Sequence, residues 1–301
     1  MSAEFRPEGG ALFDLTSRAK LRINGTDRLR YLNGQISNDV RKASMSSAIH
    51  ACVLNTKGRI NADVFITTVA DSYLVDTEPE MRERLATRLE RYIIADEVEI
   101  ADVTSDFALL HIIGPNTPAI DTAVATPDAD RFGCAGTDIW LPRARYEEAL
   151  HSLSARVPIC DDRIAEAFRI ERGVPRWGHE LSEEIIPTEA NLEGSAIDYA
   201  KGCYIGQEVI SRIKMSGQTN KRLCGFVALE GTPLQAGMRL IAGNGKDVGS
   251  ITSAASSARL AKQIGLGFVK RGFTAIGTHL KASSELANGA IAVEIVPLPF
   301  C

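Results

Sequence analysis

Through Ile113, hydrophobic and polar positions run in short alternating stretches broken by single amphipathic segments. Segments 12–15 and 20–25 read as short strands, and Thr26 then caps a helix carrying Leu29, Leu32 and Ile36. Asn38-Asp39-Val40 closes that helix. Alternation over 48–54 and 61–67 predicts a hairpin whose turn is Asn55-Thr56-Lys57-Gly58, with Gly58 at positive φ. A strand over 72–76 follows. Met81, Leu85, Leu89 and Tyr92 or Ile93 recur at helical spacing within 80–94, so that stretch is an amphipathic helix. Segments 97–103 and 107–113 alternate again, and Gly114-Pro115 ends the second. Hairpins interrupted by single helices predict an α+β arrangement, sheets covered by helices.

Beyond this point the pattern loosens. Segment 127–136 is loop-like, and 145–157 and 162–172 carry helical periodicity, the second stopped by Gly173-Val174-Pro175. Segment 175–198 is polar and aperiodic, a length of loop that is commonly functional. After Arg222 the chain turns into short strands punctuated by glycine, at 225–229, 238–241, 247–252, 264–269, 279–281 and 290–296. A small all-β barrel or sandwich accounts for that run, and the domain reading is 1–220 followed by 221–301. Gly243 to Gly249 lacks both the Gly-Lys-Ser/Thr ending and a following helix, so it reads as a hairpin turn and not a phosphate loop. Gly265 and Gly267 inside a strand predict a bulge or tight packing.

Composition narrows the classes. A net charge of -4 argues against a protein built to coat nucleic acid. No apolar run reaches the length of a membrane span, and residues 1–10 carry no secretory core or import signal. The six cysteines are scattered without a Cys-x-x-Cys pair, which fits free thiols in a reducing cytoplasm and excludes a zinc ribbon. The five histidines are equally dispersed, so no tightly bound metal is expected. Arg212, Lys214, Lys221 and Arg222 form a local basic run, a candidate RNA or anion contact set against a solvated face. With 6% aromatic residues, stacking platforms for single strands are scarce.

One stretch concentrates chemistry: Lys201-Gly202-Cys203-Tyr204-Ile205-Gly206-Gln207-Glu208, with Arg212 four residues on. Gly206 opens a short helix in this reading, placing the Cys203 thiol before a helix N-terminus and near Lys201. Both features favour thiolate. No histidine lies inside the motif, and nothing selects among His50, His111 and His179 as a distant partner. Glu171 is a second anomaly. It sits with Arg169 at the end of a helix, where a carboxylate opposes the dipole and needs donors from elsewhere, such as a ligand.

The stretch resembles the signature of the YgfZ-type folate-binding proteins of iron–sulfur cluster assembly, within the glycine-cleavage T-protein (aminomethyltransferase) superfamily. Ala11-Leu12-Phe13-Asp14, Asn38-Asp39-Val40, Arg169-Ile170-Glu171-Arg172-Gly173 and the closing β-region follow the order of that superfamily. The resemblance implies an aminomethyltransferase-like folate-binding fold in two interleaved α+β subdomains, followed by a C-terminal β-barrel. It implies tetrahydrofolate or a derivative as cofactor, with Glu171 on the pterin. Arg169, Asp63, Asn38, Lys201, Tyr204, Gln207 and Arg212 are its further folate-site candidates. Cys203 becomes the functional thiol on a mobile loop. The partners implied are iron–sulfur assembly or client proteins, with an indirect effect on tRNA modification. One departure stands against aminomethyl transfer: Ala62 occupies the place of the first of two aspartates, leaving Asp63 as the second.

Overall fold

The alternating runs become strands, and among the described residues each ladder between two strands is antiparallel. The computed structural model describes residues 10–114, 120–283 and 289–300; Pro115, the second half of the predicted strand stop, lies outside them. The chain forms two units, Arg6–Asp161 with Leu192–Ser211, and Asp162–Asn191 with Arg212–Cys301.

In the first unit the order is β1 (Ala11–Asp14), β2 (Ala19–Asn24), α1 (Arg28–Gln35), β3 (Ile49–Leu54), β4 (Ile60–Val69), β5 (Ser72–Thr77), α2 (Arg82–Glu90), β6 (Glu99–Asp102), β7 (Phe107–Ile113), β8 (Asp128–Ala129), β9 (Gly136–Pro142) and α3 (Tyr146–Ser154). Strands β3-β4-β5-β2-β6 make one sheet and β1-β7-β9-β8 another. Leu110, Ile112 and Leu141 on one face of the second sheet bury Ala149, Leu153 and Val157 from α3 and its end. The other face sets Leu109 and Trp140 against Leu74 of the first sheet. Helix α2 is shorter than its periodicity predicts. Pro79–Met81 forms a 3-10 turn ahead of it, and only Leu85 and Leu89 are buried within it. Strand β9 escaped the sequence pattern, and β8 lies inside the predicted loop 127–136. Buried on both faces, β9 has no hydrophobic alternation to reveal it.

A cluster of charges lies between the two sheets. Arg131 donates to Asp76 of β5 at 2.7 and 3.0 Å and to both oxygens of Asp138 of β9 at 2.7 Å. Arg18 donates to Asp76 at 2.5 Å, and His111 Nδ1 lies 2.8 Å from Asp138. All of these side chains are buried.

In the second unit α4 (Asp162–Glu171) precedes a closed barrel, which follows α5 (Gln207–Ser216). The barrel strands are β10 (Lys221–Ala228), β11 (Arg239–Ile241), β12 (Asp247–Ser257), β13 (Lys262–Lys270), β14 (His279–Ser283) and β15 (Ile291–Val296), closed in the order β10-β13-β12-β11-β14-β15. Phe226, Leu240, Val248, Val269, Val293 and Ile295 fill it. The β11–β12 connection is the predicted hairpin turn, with Gly245 N bonded to Ala242 O at 2.8 Å. The predicted bulge appears as a register shift between Ile251 and Ser253 opposite Gly265 to Gly267. A single boundary at 220 does not describe these units. Helix α4 packs on β12, and Arg169, Glu171 and Glu180 all bond into that strand, which draws 162–191 into the barrel's unit.

Candidate functional site

The signature loop is built around α1. A helix leaves its last carbonyls without intrahelical partners. Here Lys201 collects the carbonyls at and just beyond that end: its Nζ donates to Asn33 O at 2.6 Å, Ile36 O at 2.6 Å and Asn38 O at 2.9 Å. The ammonium also lies 4.9 Å from the Tyr204 ring centroid. Burial draws Lys201 down to about 8, opposed by Asp39 and Asp198. Two residues past the thiol, Ile205 N donates to Gly34 O at 3.2 Å. The loop is therefore anchored on both sides of Cys203, contrary to the expectation of a mobile loop. Lys201 also spends its three donors on carbonyls, and its part here is to hold the loop to α1. Cys203 itself is exposed, and a Cβ added at Gly202 would meet nothing within 4 Å.

Downstream, α5 starts at Gln207 as the motif predicts, after Gly206 at φ +88°. A Cβ on Gly206 would lie 2.7 Å from Asn55 O, and one on Gly58, at φ +72°, would lie 2.8 Å from Val209 Cβ. The hairpin turn and the start of α5 thus meet too closely for a side chain at either glycine, Gly206 lying against the turn's backbone and Gly58 against the Val209 side chain. Gly206→Ala is expected to cost about 1–3 kcal/mol, read as a lowered urea midpoint with unchanged m-value.

Segment Gly34 to Asp39 is gripped from two sides. Ser37 N donates to Cys52 O at 2.9 Å and Asp198 N to Ser37 O at 3.0 Å. Ser37 Oγ donates to Ala196 O at 2.6 Å. Asn38 Nδ2 donates to His50 O at 2.8 Å and to Ser195 O at 3.3 Å. Asp39 caps the following turn and bonds Arg41, whose guanidinium is the main reason its carboxyl lies at about 2. On the same face of the β3–β4 hairpin, His50 Nε2 and Asp63 Oδ1 are 2.6 Å apart. The His50 ring stacks on Phe65, with centroids 4.6 Å apart and planes 4° apart. Arg131 covers Phe65 at 4.3 Å. Ala62 is buried on the opposite face.

His50 was absent from the predicted site, yet two predicted residues, Asn38 and Asp63, converge on it. Cross-strand register could have found it. Cys52 faces Asp63 and His50 faces Phe65, so the four share one face. Of the other histidines, His111 is fully buried on Asp138, and His179 lies beside Arg176 and Ser253 in the second unit.

The second unit holds Arg169 and Glu171. Arg169 donates to Glu180 at 2.7 Å, to Ser253 Oγ at 2.5 Å, to Val174 O at 3.3 Å and to Glu166. Glu180 also accepts from Thr252 and Ser253, each at 2.6 Å. Arg169 therefore pins the loop after α4 to β12. Glu171 accepts from Ser257 Oγ at 2.5 Å and from Arg259 Nε at 3.3 Å. The donors that its place at a helix end demanded come from the protein itself. A carboxylate has about four lone-pair sites, so Glu171 retains acceptor capacity. Tyr204 is buried, Gln207 half-buried, and Glu208 and Arg212 lie exposed on α5. In the basic run, Lys221 Nζ covers the Phe268 ring at 4.8 Å, and Arg222 donates to Asn191 at 2.7 Å. Among the described residues no three metal-binding side chains cluster, and no described helix is long and apolar enough to cross a membrane.

Comparison with known proteins gives two domain matches. Residues 5–134 match the GCVT N-terminal domain, and residues 221–301 match the glycine cleavage T-protein C-terminal barrel domain. An aminomethyltransferase of Geobacillus kaustophilus is 28% identical, over 96% of this chain and 86% of its own length. The iron–sulfur cluster assembly factor IBA57 homolog, mitochondrial, of Dictyostelium discoideum is 25% identical, over 69% of this chain and 60% of its own length. The crystal structure of the glycine cleavage system aminomethyltransferase T from Bartonella henselae superimposes with a TM-score of 0.84. At 18% identity it covers 97% of this chain and 86% of that one, a likeness of fold.

Proposed function

We propose, for a chain that belongs to the glycine-cleavage T-protein superfamily, that it binds tetrahydrofolate or a derivative and supports assembly or repair of iron–sulfur clusters in the cytoplasm, with Cys203 as the functional thiol. The observation that carries this reading is how the loop's side chains are used. Lys201, Tyr204 and Gly206 are all engaged in holding the segment, while Cys203 between them is exposed and Gly202 faces open space. A thiol fixed in place and left accessible suits redox exchange or transient ligation. The likeness to an iron–sulfur cluster assembly factor supports the same direction.

Within each unit, taken by itself, side chains of suitable chemistry support a reduced folate as ligand. A pterin brings ring N–H donors and carbonyl acceptors. Glu171, with acceptor capacity to spare, suits the donors; Asp63 and Gln207 are half-open polar side chains. In the first unit Asn38 and Lys201 hold the backbone beside the hairpin, and in the second Arg169 holds the loop after α4; each is a positioning residue within its own unit. Client iron–sulfur proteins, and through them tRNA thiolation, follow from the cluster role. The exposed Arg212 is the member of the basic run assigned to the folate's glutamate tail.

Because Cys203 is exposed, Cys203→Ala is expected to leave stability within about 0.5 kcal/mol of wild type. In cells whose only copy carries the substitution, iron–sulfur enzyme activities fall. Undiminished activities with normal protein levels would end the assignment.

The second reading is a folate-dependent aminomethyl or methyl transferase. The aminomethyltransferase likeness over nearly the whole chain favours it. Against it, Ala62 offers no carboxylate to orient or deprotonate an amine. Turnover of an aminomethyl donor with tetrahydrofolate by the purified wild-type protein would reverse the preference.

A further inference from the structure

On the β3–β4 hairpin His50 is held more firmly than a surface histidine requires. Asp63 fixes Nε2 at 2.6 Å, Phe65 lies parallel to the ring, and Asn38 holds the backbone carbonyl at 2.8 Å. The remaining ring nitrogen, Nδ1, makes no hydrogen bond among the described residues, and it is not among the sealed, unpartnered polar atoms. An oriented imidazole with one nitrogen on a carboxylate and the other open is built to bind a proton and present it.

Charged groups come near it from the neighbouring elements. Asp63 of β4 is the ionisable group in direct contact. Arg131 lies beyond Phe65 and is committed to Asp76 and Asp138. From the Gly34 to Asp39 side come Asp39, paired with Arg41, and Lys201, bound to carbonyls. Cys52, next on this face of β3, is buried and held well above the ordinary thiol range by burial first and Asp63 second.

We propose that His50 is the proton-binding residue of the candidate folate site, taking a proton from solvent on Nδ1 as the ligand docks and donating that N–H to a ring-nitrogen or carbonyl acceptor of a reduced pterin. The imidazolium formed is balanced by Asp63, and no bond other than N–H changes. Asp63 and Asn38 are positioning residues for it. This rests on the folate reading and adds to it a group and a pH dependence.

The test is calorimetric titration of the full chain with 5-formyltetrahydrofolate in buffers of different ionisation enthalpy. Wild type is expected to take up a proton as the ligand binds, read as an observed enthalpy that changes with the ionisation enthalpy of the buffer. His50→Gln is expected to bind about tenfold more weakly at pH 6.5, having lost a charge-assisted hydrogen bond, with no proton uptake and a flat affinity from pH 6 to 8. Asp63→Asn, which keeps the imidazole, is expected to bind with reduced uptake and guards against a folding defect in the first variant. Wild-type binding without proton exchange, or full uptake retained in His50→Gln, would overturn the inference while leaving folate binding intact. No binding by wild type at all would overturn the folate reading and the inference with it.

Discussion

Arg131→Met is expected to lower the stability of the protein by about 3–5 kcal/mol, the range for removing one partner of a buried ion pair. Typical domains have only about 5–15 kcal/mol in total, so soluble yield should fall as well. The reason is geometric. Arg131 satisfies Asp76 from one sheet and Asp138 from the other, and methionine fills the volume while leaving both carboxylates buried. Asp76 would keep Arg18, and Asp138 only His111. The pH dependence separates this from simple loss of packing. Burial alone would raise the Asp76 carboxyl; Arg131 and Arg18 overcome it and hold it at about 2, below its ordinary 3.8. A depressed carboxyl contributes stability that is present above the unfolded value and is lost as pH falls through the folded one. Wild type should therefore hold this contribution above pH 3.8 and lose it toward pH 2. In Arg131→Met burial is less opposed, so the carboxyls take protons at higher pH than in wild type and the deficit should shrink as pH falls from 7 toward 3. Urea melts at pH 7, 5 and 3 measure it, and a deficit independent of pH would count against the electrostatic account.

Lys201→Met is expected to have the second-largest effect, and a local one. A hydrogen bond to a charged group contributes about 1.5–3 kcal/mol. The three carbonyls share one ammonium and are not independent, so a loss of about 3 kcal/mol is expected, not a threefold sum. That corresponds to roughly a hundredfold loss of hydrogen-exchange protection at Ile205 N–H and around Ser37. The barrel strands should keep theirs. A global loss of protection without this local excess would refute the anchoring role.

Much of the fold was legible because it obeys simple periods. The β3–β4 hairpin, the positive φ of Gly58, β7 and the all-β run after Arg222 follow from alternation and turn chemistry. Strand β9 was not legible, since burial on both faces erases alternation. Nor was the grouping of 162–191 with the barrel, which rests on hydrogen bonds that Arg169 donates to Ser253 and that Glu180 accepts from Thr252 and Ser253, more than seventy positions away. Within the signature, the start of α5 at Gln207 fell where Gly206 placed it. The direction of Lys201 was hidden, because its targets are backbone carbonyls and sequence carries no mark of them. Glu171 looked anomalous for a sound reason, yet its donors were Ser257 and Arg259. His50 was named only as one of three undistinguished partners for Cys203, because its place beside Asp63 on the hairpin face depends on strand register.

The order in which the chain visits its two units also bears on its birth at the ribosome. Residues Arg6–Asp161 emerge first, but their unit is completed only by Leu192–Ser211, after Asp162–Asn191 has been added for the other. Until then the backbone groups at the end of α1 lack Lys201, and Ser37 lacks Ala196 and Asp198. At about 5–20 residues per second, translation leaves that edge waiting for several seconds, a window in which nascent-chain chaperones would find it. Slowing translation between codons 162 and 200 should therefore lower the folded yield more than the same delay placed after codon 221.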